Sequence, residues 1–298
     1  LDAVTFRNQK MQAEAKNVGG LALWRLGTED PQVWDVFYCV NSCEPQAFQQ
    51  MKPTHAISHL GRGDFLQANN EPADGFRLVR QLDSGLWSTD YTSFPRYPIL
   101  YHQGESDPHQ VALTFDDGPD AEWTPKILDV LAQKHVKAAF FVTGTNASSH
   151  PALMRRIIAE GHFIGNHTYS HANLAEMSPA RIQMELNATQ RIIESLTGYA
   201  TVLFRPPYNA DREPQSMPEF MTLLAAQALG YLPVSESIDT EDWEQPLPEQ
   251  ILQRVKDHRH EGNIVLMHDA GGDRSHTVAA LPLVIDYLRM RGDELVPL

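Results

Sequence analysis

The chain has 298 residues, enough for one large α/β domain with a smaller element or for two modest domains. Its composition, 42% hydrophobic and 21% charged, is ordinary for a globular protein, and no apolar run approaches the length of a membrane span. The formal net charge of -14 argues against nucleic acid, an anionic membrane or an acidic polymer as the main partner. A neutral or cationic partner fits such a surface better.

The first 40 residues do not form a self-sufficient fold. Residues 18–27 predict a buried strand and residues 31–37 a short helix, and one strand with one helix cannot bury both apolar faces alone. Cys39 and Cys43 have no histidine or further cysteine nearby at zinc-site spacing. A small disulfide, two free thiols or half of a metal site all stay open, and a structural or incidental role is favoured.

Residues 41–105 differ in texture from the rest of the chain. They are rich in Gly, Pro, Asn and Asp, with short apolar pieces such as residues 76–79 and 97–101. This pattern is typical of turns between short, antiparallel strands. We predict a linker or a small β module here.

From Val111 onward, predicted strands and helices alternate regularly. The strands are predicted at residues 111–115, 138–142, 162–165, 201–204, 231–234 and 263–267, with 294–298 as a candidate seventh. The clearest intervening helix begins after Ser178, a typical N-cap, and ends at Gly198. Such alternation predicts an α/β fold with a parallel sheet, which we interpret as a distorted or incomplete β/α barrel of about seven strands. A doubly wound open sheet is the competing architecture.

Polar side chains follow most of the predicted strands at their carboxyl ends. They are Asp116 and Asp117, His167 and His171, Arg205, Asp239 and Asp242, and His268. In a parallel β/α barrel these ends gather at one face, where active sites are built. We therefore predict that these groups form one site.

The types of these residues indicate metal-assisted acid–base chemistry. His167 and His171 would share one face if the backbone between them were helical, and one aspartate from another strand end completes a three-ligand site. Two histidines and one aspartate leave a coordination position open, as in catalytic zinc sites, although iron or cobalt fits the same ligands. The second aspartate could act as base and be held ionised by Arg205. His268, paired with a further aspartate, could act as general acid.

In order, five segments resemble the motifs of the carbohydrate esterase family 4 polysaccharide deacetylases. They are Thr114-Phe-Asp-Asp-Gly-Pro119, His167-x-x-x-His171, Arg205-Pro-Pro-Tyr208, Asp239-x-x-Asp-Trp243 and Leu266-Met-His268. The resemblance covers residues 106–298. It implies a distorted β/α barrel and a zinc-type divalent metal, with cobalt as an alternative.

The resemblance also implies a role for each matching residue. Asp117, His167 and His171 would bind the metal, Asp116 would be the base and Arg205 would orient it. His268 would be the acid and Asp242 its partner, with Asp239 a less certain motif acid. The backbone N–H of Tyr208 would help to hold the oxyanion, while Pro206, Trp243 and Leu266 would lie along the substrate groove.

The family implies hydrolysis of N-acetyl groups on an N-acetylglucosamine polymer such as chitin, poly-N-acetylglucosamine or peptidoglycan. A hydrolase for O-acetyl esters or small amides, and a non-catalytic carbohydrate-binding module, are the alternatives.

Residues 19–34 are similar to the closing strand and helix of family 18 glycoside hydrolase barrels. That likeness, together with the composition of residues 41–105 and the deacetylase motifs, divides the chain into three regions: a barrel remnant at 1–40, a linker or β module at 41–105, and a deacetylase domain at 106–298. It also implies a larger multidomain protein with the deacetylase outside the cytoplasm.

Overall fold

The computed structural model describes residues 2–23, 30–39, 43–53, 56–104, 107–208 and 214–298. Contacts divide the chain into two compact units, of which the first comprises Leu1–Ser58 with Asn70–Ile99 and the second His59–Asn69 with Leu100–Leu298. The domain boundaries at 40 and 105, drawn from composition and resemblance, stay predictions.

Helices and strands of both units are numbered together along the chain. The helices are α1 (Ala3–Ala15), α2 (Gln32–Tyr38), α3 (Trp123–Lys134), α4 (Gly144–Ser149), α5 (Pro151–Ala159), α6 (Pro179–Thr197), α7 (Met217–Ala228), α8 (Pro248–His258) and α9 (Ser275–Arg291). The strands are β1 (Gln50–Met51), β2 (Ser58–Gly61), β3 (Phe65–Asn69), β4 (Gly75–Gln81), β5 (Trp87–Ser93), β6 (Ile99–Gln103), β7 (Gln110–Asp116), β8 (Ala139–Val142), β9 (Phe163–Asn166), β10 (Leu203–Phe204), β11 (Leu232–Pro233), β12 (Ile238–Asp239), β13 (Ile264–His268) and β14 (Glu294–Leu295).

The first unit packs α1 and α2 with an antiparallel sheet in the order β1-β4-β5. Its core includes Phe6, Val36, Phe48 and Trp87, all buried. The predicted helix after residue 31 is confirmed as α2. The predicted strand is wrong for residues 18–23, which form no strand and expose Val18, and residues 24–27 lie outside the described residues.

The two cysteines of the first unit, Cys39 and Cys43, are joined by a disulfide. Of the three states that the sequence left open, the small disulfide is the one found.

The second unit is built on a parallel sheet in the order β11-β10-β9-β8-β7-β13-β12. A further short strand, β14, pairs with the start of β7. This seven-strand path forms the curled, incomplete barrel that the alternating pattern predicts. Strand β12 was not predicted, because Ser237-Ile-Asp239 lacks an apolar run.

Apolar side chains from one face of the central strands pack with the helices and make the main core of this unit. Phe115 of β7 stacks on Phe140 of β8, with ring centroids 5.2 Å apart, and Leu128 of α3 and Leu281 of α9 join the same buried cluster. Burying each such side chain contributes about 1.5–3 kcal/mol. This core holds β7, β8 and β13 in register and so fixes the positions of their carboxyl ends.

Strand β3 lies beside the end of the sheet, where β11 and β12 are not paired among the described residues. Phe65 bridges Val234 antiparallel, and the Ser235 N–H donates to the Asp64 carbonyl at 2.8 Å. The Asp64 carboxylate in turn accepts hydrogen bonds from the Ser237 side chain and the Asn263 backbone. Residues 64 and 65 therefore connect the two sides of the gap in the barrel.

Candidate active site

The carboxyl ends of β7, β9, β10, β12 and β13 bring the polar residues of the predicted site together. Asp116 ends β7 and is directly opposite His268 of β13 in the parallel register. Phe204, directly before Arg205, is opposite Asn166, directly before His167. The side chains then meet because neighbouring parallel strands end at the same edge.

Asp117, His167 and His171 form the single cluster of three metal-ligating side chains found among the described residues, with ligand atoms within 4.8 Å of one another. Asp117 Oδ1 lies 3.4 Å from His167 Nε2 and 3.0 Å from His171 Nε2. Within the described part of the chain, this buried oxygen has no hydrogen-bond partner. Two imidazole nitrogens and one carboxylate oxygen that converge in this way fit a zinc-type divalent metal.

The backbone around Asp117 turns its side chain toward the histidines. Asp117 has a left-handed φ of 77°. The Asn146 amide at 2.7 Å and the Thr143 hydroxyl at 3.3 Å donate to its carbonyl. Burial would raise the pKa of Asp117, but the neighbouring imidazoles of His167 and His171 hold it well below its usual range. The carboxylate is therefore ionised, as a metal ligand must be.

His167 and His171 do not lie on a helix, and the helical arrangement considered from their spacing is wrong. The segment is a loop in which Thr168 (φ 68°) and His171 (φ 54°) have left-handed backbones. His167 Nδ1 is 2.8 Å from the Arg205 carbonyl, which can only accept, so Nδ1 carries the proton. The Nε2 lone pair is then free for a metal.

Asp116 and Arg205 form a fully buried ion pair beside this cluster. Arg205 Nη1 lies 2.9 Å from both Asp116 Oδ1 and the Thr114 hydroxyl. Thr114 and Asp116 share one strand face, because side chains alternate along β7. The guanidinium also donates to the carbonyls of Val234 and Ser235. Arg205 thus holds one Asp116 oxygen and leaves the other, Oδ2, 3.9 Å from His167 Nε2.

His268 is paired with the buried carboxylate of Asp242. The distance from His268 Nδ1 to Asp242 Oδ1 is 2.7 Å, and Asp242 Oδ2 accepts from the His268 N–H and the Thr277 hydroxyl. Burial would lower the pKa of His268, but the charge of Asp242 overcomes this and raises it to about 9. His268 is therefore an imidazolium at neutral pH and can donate a proton from Nε2.

The remaining predicted residues lie around these three groups. Tyr208 is exposed, and its ring centroid is 5.0 Å from that of His171. Trp243 is exposed in the short turn after Asp242, whereas Pro206 and Leu266 are buried. Asp239 accepts the Glu241 N–H at 2.7 Å, and burial raises its pKa. Their roles toward a substrate stay predictions.

Several known proteins similar to this chain are named as deacetylases. The family described as polysaccharide deacetylase matches residues 103–231. A peptidoglycan-N-acetylglucosamine deacetylase of Bacillus cereus is 39% identical over 217 residues, 72% of this chain and 76% of that protein. A chitooligosaccharide deacetylase of Azorhizobium caulinodans is 33% identical over 200 residues, 63% of this chain and 92% of that protein.

Two solved structures are also similar to this chain in sequence and fold. The Bc1960 peptidoglycan N-acetylglucosamine deacetylase is 41% identical, with a TM-score of 0.59 over 64% of this chain and 86% of that one. A family 4 carbohydrate esterase from Streptomyces lividans, solved with acetate, is 32% identical, with a TM-score of 0.54 over 62% of this chain and 90% of that one.

The chain belongs to the polysaccharide deacetylase family, carbohydrate esterase family 4. The resemblance inferred from the five motifs is confirmed at the level of the family. The likeness of residues 19–34 to a family 18 barrel receives no support, because the family match begins at residue 103.

Sequence reasoning missed several residues that hold this polysaccharide deacetylase site together. Glu185 and Thr277 are buried residues of helices. Glu185 accepts the N–H of Tyr169, and the Thr277 hydroxyl donates to Asp242. Asp269 is fully buried and accepts from the Thr124 hydroxyl, and burial raises its pKa to about 7. The one available signal was the adjacency of Asp269 to His268, because the partners of Glu185 and Thr277 are distant in sequence.

Proposed function

We propose that this protein hydrolyses N-acetyl groups on an N-acetylglucosamine polymer and releases acetate. One observation carries the proposal: a buried Asp116–Arg205 pair and a buried Asp242–His268 pair flank the Asp117, His167 and His171 cluster. The first pair holds a carboxylate in a fixed position, and the second keeps an imidazole protonated. An amide hydrolase needs both, a base for water and an acid for the leaving amine.

In this mechanism, Asp116 takes a proton from the water that attacks the acetyl carbonyl carbon. His268 gives a proton to the amide nitrogen as the carbon–nitrogen bond breaks, so that acetate and a free amine leave. Asp117, His167 and His171 would hold a divalent metal such as zinc or cobalt, which supplies Lewis-acid polarisation of the carbonyl and acidifies water when bound. The Tyr208 N–H would stabilise the oxyanion, and a single such donor is worth about 2.7–4 kcal/mol.

The substrate class follows from what related proteins act on and from charge. The relatives are named for peptidoglycan N-acetylglucosamine and for chitooligosaccharides. A chain of net charge -14 is compatible with a neutral polymer that becomes cationic as amines appear. We place the protein outside the cytoplasm with these glycans. Among the described residues, no helix is both long and apolar enough to cross a bilayer.

The test is acetate release from acetylated chito-oligomers, peptidoglycan and acetylxylan. We expect release from the N-acetylated glycans, loss with a chelator, and recovery with zinc or cobalt. The variant Asp116→Asn, purified identically, reports contaminating activity. Activity that persists in chelator contradicts the metal mechanism. Release from acetylxylan alone favours the O-acetyl esterase, and saturable glycan binding without acetate favours a carbohydrate-binding module.

A further inference from the structure

The loop that carries His167 and His171 does not hold its own conformation. Two of its five residues, Thr168 and His171, have left-handed backbone conformations. Residues other than glycine rarely adopt this conformation, and it is especially unusual for a β-branched threonine. No regular element spans the loop. Its shape, and with it the spacing of the two imidazoles, must be imposed by neighbouring residues.

Glu185 of α6 is the neighbour that binds the middle of this loop. Its Oε2 accepts the N–H of Tyr169 at 3.0 Å and of Ser170 at 2.9 Å. The Ser170 hydroxyl lies 3.0 Å from each carboxylate oxygen. Glu185 is 3% exposed, so its carboxylate is removed from water and accepts hydrogen bonds from these loop groups instead.

The opposite side of the loop is held by the start of α4. The N–H groups of Gly144 and Thr145 donate to the carbonyls of Thr168 and Tyr169, at 2.9 and 3.0 Å. The peptide groups between the two histidines are therefore fixed from both sides. The hydrogen bonds to the Glu185 carboxylate are charge-assisted, and such bonds are stronger than those between neutral backbone groups.

We propose that Glu185 is a positioning residue for the metal site, and that its carboxylate sets metal affinity by fixing the backbone between His167 and His171. Its carboxylate bonds Tyr169 and Ser170 rather than either imidazole, so it acts through the loop. This role rests on the proposed metal site of Asp117, His167 and His171. Partners that orient metal ligands commonly change affinity roughly 10–100-fold when removed.

The variants are Glu185→Ala, which leaves the two loop N–H groups without their acceptor, and Glu185→Gln. The glutamine keeps one oxygen for the N–H donors and removes the charge, so it retains the fold if the alanine variant does not. Glu194→Gln is the matched control, because Glu194 is an exposed glutamate on the same helix. Each purified full chain is stripped of metal, and its thermal midpoint is measured.

The decisive measurement is the Zn²⁺ dissociation constant, obtained by competition with a chromophoric chelator. We expect it to rise roughly 10–100-fold in Glu185→Ala and about fivefold or more in Glu185→Gln, and to stay at the wild-type value in Glu194→Gln. At saturating Zn²⁺, kcat on chito-oligomers should return to near wild type. A purely structural tie would lower the thermal midpoint and kcat without changing the Zn²⁺ affinity of the folded protein.

Two outcomes overturn this role and are distinguishable. In the first, wild type binds Zn²⁺ and the folded Glu185→Gln variant has a Zn²⁺ dissociation constant within about twofold of wild type. That change is smaller than the loss of a positioning partner produces, so Glu185 would not position the site. If wild type itself binds no Zn²⁺, the metal site of the proposed function fails and the role of Glu185 fails with it.

Discussion

At the residue scale, two adjacent aspartates face different partners. Asp116 is the last residue of β7 and pairs with Arg205, whereas Asp117 leaves the strand with a left-handed φ and meets the two histidines. Their adjacency and the division of labour between ligand and base could be inferred from sequence. Which aspartate does which came from the family resemblance, because spacing alone is symmetric between them.

Substituting the two aspartates separately should give different defects. Asp117→Ala removes a ligand, so we expect bound zinc to fall and activity with it. Asp116→Asn keeps all three ligands and removes the base, so we expect zinc to stay bound while kcat falls roughly 10²–10⁴-fold. Metal content of the dialysed proteins and acetate release measure the two effects. Equal zinc loss in both variants would mean that these assignments are wrong.

Loss of the His268 proton should produce the alkaline limb of the pH profile of kcat/KM. The pKa of His268 is raised to about 9, so the protonated acid persists at neutral pH and is lost as pH rises through about 9. In Asp242→Asn the carboxylate charge is gone, and the limb should move down toward the ordinary histidine pKa of about 6.5. Profiles of kcat/KM measure this shift, and an unmoved limb would exclude His268 as the acid.

At the element scale, long periodic helices were predictable, whereas the ends of short strands were not and β12 was missed. Helix α6 begins after Ser178 and ends before Gly198, as its capping residues indicate. Strands β10, β11 and β12 are each two residues long, so pairing with neighbours defines them more than any local pattern. Helix α1 was missed because only Ala3, Val4 and Phe6 of its residues are buried, which leaves a weak apolar stripe.

Strand β3 and the preceding Asp64 should stabilise the open side of the barrel. Asp64→Ala removes the acceptor for Ser237 and the Asn263 backbone, and leaving such donors unpaired costs about 1–3 kcal/mol. We expect lower unfolding free energy by denaturant titration.

Asp257→Ala is the control for this variant, since Asp257 is an exposed aspartate of α8. If Asp64→Ala unfolds at the same denaturant concentration as this control, β3 does not support the barrel.

At the scale of the whole molecule, the division into units does not follow composition. Residues 59–69 and 100–104 share the texture of the predicted β module, yet they belong to the unit that contains the active site. The three-stranded sheet β2-β6-β3 is part of this unit through contacts such as Ala68 N–H to Gln227. Composition could not reveal this, because these contacts join residues about 160 positions apart.

The sequence by itself determined the class of fold, the place along the chain of most strands that carry the site, and the residue types of the chemistry. Those features are local: apolar periodicity, capping residues, and polar groups placed directly after strands. The tertiary structure alone decided that His167 and His171 meet Asp117 from a loop, that Glu185 holds that loop, and that Asp64 connects the gap in the barrel. Each of these depends on hydrogen bonds between distant segments, whose geometry exists only after the sheet has assembled.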